Sequence, residues 1–193
     1  MVQAESESEL TRGDAAPEFQ LDGTDGATYS LDSFRENDAL LVVFTCNHCP
    51  YAKAKFGALN AIAADYDNCA VVGINPNDAD EYPEDSYERM CELVDEGTVA
   101  YDAYLRDDDA SVARAYGAVC TPDPFLFARD ETAETGWQLV YHGRLDDALN
   151  PDDDPSGEPG FEARQAIDAV LAGNPVPLED NPSRGCSIKW PGE

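Results

Sequence analysis

Hydrophobic and polar positions fall into three patterns along this chain. Ala39-Leu40-Leu41-Val42-Val43-Phe44 and Cys69-Ala70-Val71-Val72-Gly73-Ile74 run apolar without a polar face, which predicts buried strands over 39–45 and 69–75. Pro124-Phe125-Leu126-Phe127-Ala128 and Trp137-Gln138-Leu139-Val140-Tyr141-His142 predict two antiparallel strands, and Tyr104-Leu105-Arg106 a short one. Pro17–Leu21 and Ala27–Leu31 flank Asp22-Gly23-Thr24-Asp25-Gly26, the pattern of an N-terminal β-hairpin with a Gly/Asp turn. Helix formers fill 50–66. Pro83 opens a second helix reaching about Glu96, with acidic residues in its first turn; residues 109–116 form a short helix stopped by Gly117; Phe161–Leu171 is amphipathic and stops at Gly173. Strands alternating with helices, then a closing hairpin and helix, argue an α/β fold, a central sheet covered on both faces. Residues 1–12 are polar and acidic and are expected to be disordered. One domain is expected over 13–175, followed by an irregular Pro- and Gly-rich tail over 176–193.

At 193 residues, such a domain buries a core that needs no disulfide staples. The formal charge is −28, from 40 acidic and 12 basic residues, and only Lys53, Lys55 and Lys189 are lysines. That balance argues against nucleic acid and anionic membrane as partners. Carboxylates spread along the whole chain repel one another in dilute buffer, while at 1 M salt the Debye length is only about 3 Å. The composition resembles that of salt-in halophiles. The N-terminus has neither the basic start nor the apolar core of a signal peptide, and no apolar run reaches membrane-spanning length. A cytoplasmic protein is expected, and six cysteines in a reducing compartment point to redox or metal chemistry, or to core filling, before structural bridges.

The candidate chemistry sits at one junction. Cys46-Asn47-His48-Cys49-Pro50 joins the first apolar run to the first helix. A thiol at a helix start meets the positive end of the macrodipole, which favours thiolate. Thr121-Pro122 precedes the second hairpin, and Gly143 follows its last strand. This order of elements resembles the thioredoxin fold over residues 14–172, a mixed central sheet flanked by helices. In that fold the Thr-Pro bond is cis and packs beside the reactive sulfur. Thioredoxin-like enzymes carry the nucleophile five residues after the strand's phenylalanine. From Phe44 that position is Cys49, and the usual second cysteine is replaced by Ala52. Peroxiredoxins place their peroxidatic cysteine at the same point; Cys46 stands where their threonine would be and Val42 where their proline would be. The boxes Cys46–Pro50, Cys120–Pro122, His142–Asp147 and Gly185–Trp190 together resemble the peroxiredoxin-like group of redoxins.

The resemblance implies thiol-disulfide or peroxide chemistry, with a small-thiol or protein-thiol reductant and a peroxide or disulfide substrate. Cys49 is expected to attack and Cys46 to resolve, beside Thr121 and Pro122. Lys53, one helical turn on, is expected to help if it points back. His48 is equally a loop residue, a ligand or an electrostatic aid; Cys120 is a third redox thiol or a buried structural one; Cys186 reaches the site or anchors the tail. Cys69 and Cys91 read as core. A metal-binding alternative takes Cys46, Cys49 and either His142 or His48 as ligands for copper or zinc, although His142 itself reads better as a structural strand-end residue. A third reading is a silent binding module. Asp152-x-Asp154-x-Ser156-Gly157 imitates a calcium loop but has Ala163 at the twelfth position, so it reads as a solvated loop. No phosphate cradle or nucleotide fingerprint is present, so no bound cofactor is expected.

Overall fold

The computed structural model describes residues 3–192. Seven strands form the main sheet: β2 (Gln20–Gly23), β3 (Thr28–Ser30), β4 (Ala39–Phe44), β5 (Cys69–Asn75), β6 (Ala103–Arg106), β8 (Asp123–Arg129) and β9 (Trp137–His142). Their spatial order is β3-β2-β6-β5-β4-β8-β9. β4 pairs parallel with β5 and antiparallel with β8, from Ala39 to Phe44 in both cases. This central position explains its unbroken apolar run. Leu40, Val42 and Phe44 enter the core on one face, while Ala39, Leu41 and Val43 enter the other. Each leucine, valine or phenylalanine among them, once fully buried, adds roughly 1.5–3 kcal/mol. The fold is thioredoxin-like, and the N-terminal hairpin β2–β3 joins the sheet through β6.

The helices are α1 (Pro50–Lys53), α2 (Phe56–Asp65), α3 (Tyr87–Asp95), α4 (Ser111–Tyr116) and α5 (Phe161–Leu171). The helix expected over 50–66 is thus divided in two. At the break the Lys55 amide donates to the Ala52 carbonyl at 3.0 Å, an i−3 bond that tightens the turn. The Lys55 ammonium leaves the helix for the Asp146 carboxylate and the Ala148 carbonyl. The helix expected from Pro83 begins at Tyr87 instead, after a single 3₁₀ turn over Pro83–Asp85. Ser86 caps it, its hydroxyl accepting from the Arg89 amide. That leaves Asp85, read as a first-turn helix acid, free to turn inward.

Both ends of the chain depart from expectation. Gln3–Glu5 (β1), in the segment expected to be disordered, pairs antiparallel with Arg184–Ser187 (β10) in the segment expected to be irregular. β10 also pairs with Cys120–Thr121 (β7), making a separate three-stranded sheet β1-β10-β7. The Ser6 amide donates to the Ser183 carbonyl at 2.8 Å, and Ser6, Ser183, Cys186 and Ile188 are buried. Main-chain pairing between distant, polar segments stabilises this unit, and no hydrophobic run announces it. Met1 and Val2 lie outside the described residues. The small sheet lies across the end of β4, where Cys46, Cys49, Ala52, Phe56, Met90, Tyr104 and Cys186 form a third core cluster.

Candidate active site

β4 delivers the chain to a loop, Thr45–Cys49, that ends as the cap of α1, with Pro50 in the first turn, where its missing N–H costs nothing. Cys49 has extended backbone angles (φ −68°, ψ 126°), those of a residue just outside a helix. The Thr121–Pro122 peptide bond is cis. Thr121 touches both sulfurs: its hydroxyl is 3.2 Å from Cys46 Sγ, and its carbonyl is 3.6 Å from Cys49 Sγ. Cys186 lies directly opposite Thr121 across the β10–β7 pairing.

The three thiols have different proton affinities. The Cys49 thiol is lowered from 9.0 to about 5, chiefly because Cys46 donates to it. Burial opposes that shift, and the Cys186 thiol and the main-chain amides of Ala52 and Cys186 assist it. Cys46 is pushed well up, first by burial and next by its donation to Cys49. Cys186 rises to about 12 through burial and its donation to the same sulfur. The arrangement is one thiolate held between two protonated thiols. The helix start therefore supplies only part of the effect that the sequence assigns to it. Lys53 is exposed and is not among the groups that lower Cys49.

Beneath the loop lies a polar network that the sequence did not reveal. Asp85 is fully buried. Its Oδ1 accepts from the Asn47 amide at 2.7 Å, and its Oδ2 accepts from Asn77 Nδ2 at 2.7 Å and meets His48 Nδ1 at 2.6 Å. Asn47 Oδ1 accepts from the Tyr104 hydroxyl at 2.7 Å, and Arg106 donates to the carbonyls of Asn75, Asn77 and Asp85. The His48 ring stacks on Tyr82, with centroids 5.3 Å apart. The nearest signal was the pair Asn47-His48 between the cysteines; nothing near Asp85 distinguishes it from its acidic neighbours.

The remaining candidates divide clearly. Cys120 is buried, with Sγ 3.9 Å from the Pro122 carbonyl, and burial pushes its thiol up. His142 does not join the thiols: its Nε2 is 2.8 Å from Asp123 Oδ1 and its ring stacks on Phe125 at 4.0 Å. Among the described residues, the group with three candidate ligand atoms within 4.8 Å of one another is Cys46, His48 and Asp85. The Cys46, Cys49, His142 set is therefore not assembled, because Asp123 and Phe125 hold the imidazole elsewhere. Cys69 is buried and pushed up to about 12 by burial; Cys91 is half-buried against the Thr24 carbonyl.

Cys46 and Cys49 are both 0% exposed, so the sulfur expected to attack is covered. From β10 the Cys186 thiol and its main-chain amide meet Cys49 Sγ, and Ala52, Phe56, Met90 and Tyr104 complete the packing around the two sulfurs.

Known proteins resemble this chain to differing depths. A family model described as the AhpC/TSA family matches residues 12–135. An uncharacterized conserved protein from Geobacillus kaustophilus is 38% identical, with 100% of this chain and 98% of that one covered and a TM-score of 0.89. A hypothetical protein from Sinorhizobium meliloti is 40% identical, covering 98% of this chain and 99% of that one, with a TM-score of 0.86. A peroxidoxin from Mycobacterium tuberculosis shares the fold at 15% identity, 85% and 98% coverage and a TM-score of 0.59. No curated protein matches the chain.

Proposed function

The chain belongs to the AhpC/TSA family, and from that premise we propose that it is a thiol-disulfide oxidoreductase in which Cys49 attacks and Cys46 resolves. The observation that carries the reading is the Cys49 sulfur, lowered to about 5 by the Cys46 thiol that donates to it. A thiolate at neutral pH beside a protonated partner is what two-step thiol exchange requires.

With a disulfide substrate, Cys49 thiolate attacks one sulfur, the S–S bond breaks, and one substrate thiol leaves. With a hydroperoxide, it takes the outer oxygen, becomes a sulfenic acid and releases the alcohol or water. In either case the Cys46 sulfur then bonds to Cys49, expelling the second thiol or water. A small or protein thiol returns the two electrons. Thr121, held by the cis bond to Pro122, touches both sulfurs, and Cys186 is the next thiol in reach. The reading assigns no cofactor, and it places the protein in the cytoplasm, where such reductants are present. No helix among the described residues is long and apolar enough to cross a membrane. A charge of −28 fits a salt-rich solvent.

Peptide mass mapping tests the pairing. After one equivalent of hydrogen peroxide or of a small disulfide, a Cys46–Cys49 link is expected. A Cys49–Cys186 link, or a protein that keeps all its thiols, contradicts the assignment.

A further inference from the structure

Resolution poses a chemical problem that the two cysteines do not solve alone. Cys46 is a buried thiol, and the charge of Asp85 adds to the burial that disfavours its thiolate. While Cys49 is a thiolate, Cys46 donates to it. Once Cys49 is oxidised that acceptor is gone, and Cys46 must lose its proton in a site without solvent exposure.

The polar network holds a base of the right kind. Cys46 Sγ, a His48 ring nitrogen and an Asp85 carboxylate oxygen lie within 4.8 Å of one another. Asp85 accepts from a main-chain amide and a side-chain amide, both obligate donors, so its carboxylate works as an acceptor and His48 Nδ1 supplies the proton between them. The neutral imidazole then has its lone pair on Nε2. That atom is buried and has no hydrogen-bond partner among the described residues. Tyr82 fixes the plane of the ring. We propose that His48 is the general base that takes the Cys46 proton during disulfide closure, with Asp85 as its positioning residue. The constellation follows the logic of a nucleophile, a base and an orienting carboxylate.

This deepens the functional reading and rests on it. His48 accepts the Cys46 proton, so the new thiolate faces an imidazolium paired with Asp85. The Cys46 sulfur bonds to Cys49, and the bond from Cys49 to the departing thiol or hydroxyl breaks. The proton on His48 passes to that leaving group, giving free thiol or water. Metal binding is the poorer use of the same atoms, because both carboxylate oxygens of Asp85 are already engaged by Asn47, Asn77 and His48.

The test is single-turnover closure in the full chain, started with one equivalent of hydrogen peroxide and read by acid quench and mass. In His48→Gln, closure is expected to slow by about 10²-fold, within the usual range for a general base, while oxidation of Cys49 stays within about threefold. Its closure rate is expected to climb about tenfold per pH unit, since Cys46 must then ionise unaided, whereas wild-type closure levels off. Imidazole in the buffer is expected to restore closure in His48→Ala. The other titratable or charged groups around the trio are Cys49, Tyr82, Tyr101, Tyr104, Arg106, Cys186 and Lys189. Burial pushes Tyr101 and Tyr104 up, and Cys186 stands at about 12.

Wild-type closure rate and pH profile in His48→Gln would overturn the proposal. So would equal loss of both steps in His48→Gln and His48→Ala without imidazole rescue, the mark of a structural role, or stoichiometric zinc binding that the His48 variants lose. A wild-type protein that forms no Cys46–Cys49 link removes the functional reading and this base together, whereas normal closure in His48→Gln removes the base alone.

Discussion

Cys49→Ser is expected to abolish turnover, with a loss of at least about 10³-fold in thiol-dependent reduction of a peroxide or disulfide. The physical cause is the ionisation state. Cys49 is lowered to about 5 and is a thiolate at neutral pH, whereas a serine hydroxyl in the same place stays protonated. Cys46→Ala should behave differently. It keeps the attacking sulfur but loses the donor that does most to lower it. The first step is then expected to slow while the oxidised or mixed-disulfide form of Cys49 accumulates. Steady-state rates, with the trapped species identified by mass, check both. A Cys49→Ser protein retaining wild-type turnover would move the nucleophile to another thiol.

Gly185→Ala is expected to uncover the site. A Cβ at this position would stand 2.0 Å from the Thr121 carbonyl oxygen and 2.5 Å from its carbon. Both are main-chain atoms of the segment that touches the sulfurs, so no side chain can swing aside. β10 has to shift or detach. Overpacking of this kind costs about 1–3 kcal/mol. For a chain of this size the midpoint of thermal unfolding falls by about 2–4 °C per kcal/mol. The larger effect is local. If β10 is the cover, the folded variant is alkylated at Cys49 by iodoacetamide about 10-fold faster or more, since each 1.4 kcal/mol against closure is about a tenfold shift. An unchanged alkylation rate would mean that the route to Cys49 lies elsewhere.

The central strands and the cysteine box were legible because each is carried by contiguous residues. Ala39–Phe44 is apolar at every position since both its faces are covered, and Cys46 and Cys49 stand at the junction where that run ends. Pro122 was legible through the resemblance, which implies a cis Thr121–Pro122 bond, and the bond is cis. The small sheet was not. β1 is three residues long and partners residues about 180 positions away, so nothing local encodes the pairing that places Cys186 over the site. Asp85 was hidden for a related reason. A carboxylate in the first turn of a helix and a buried carboxylate accepting several donors look alike in sequence. What distinguishes them here is Ser86, which takes the capping role one residue later. Lys53, expected to help if it points back, is exposed and is not among the groups that lower Cys49, since spacing along a helix places a charge within range without fixing where its flexible side chain goes.

Ultraviolet absorbance of the thiolate, followed from neutral pH into acid, tests the central claim that Cys49 is primed by its neighbouring thiols. Its value in the folded chain lies below the ordinary 9.0. The group therefore adds stability that is complete above about pH 9, declines below it, and is gone once the pH falls through about 5. The account predicts a thiolate signal that is present at neutral pH, disappears with a midpoint near pH 5 and is absent from Cys49→Ser, with the midpoint moving upward in Cys46→Ala, which has no donor to offer. A folded wild-type protein with no thiolate at neutral pH, or a midpoint indifferent to Cys46, would contradict it.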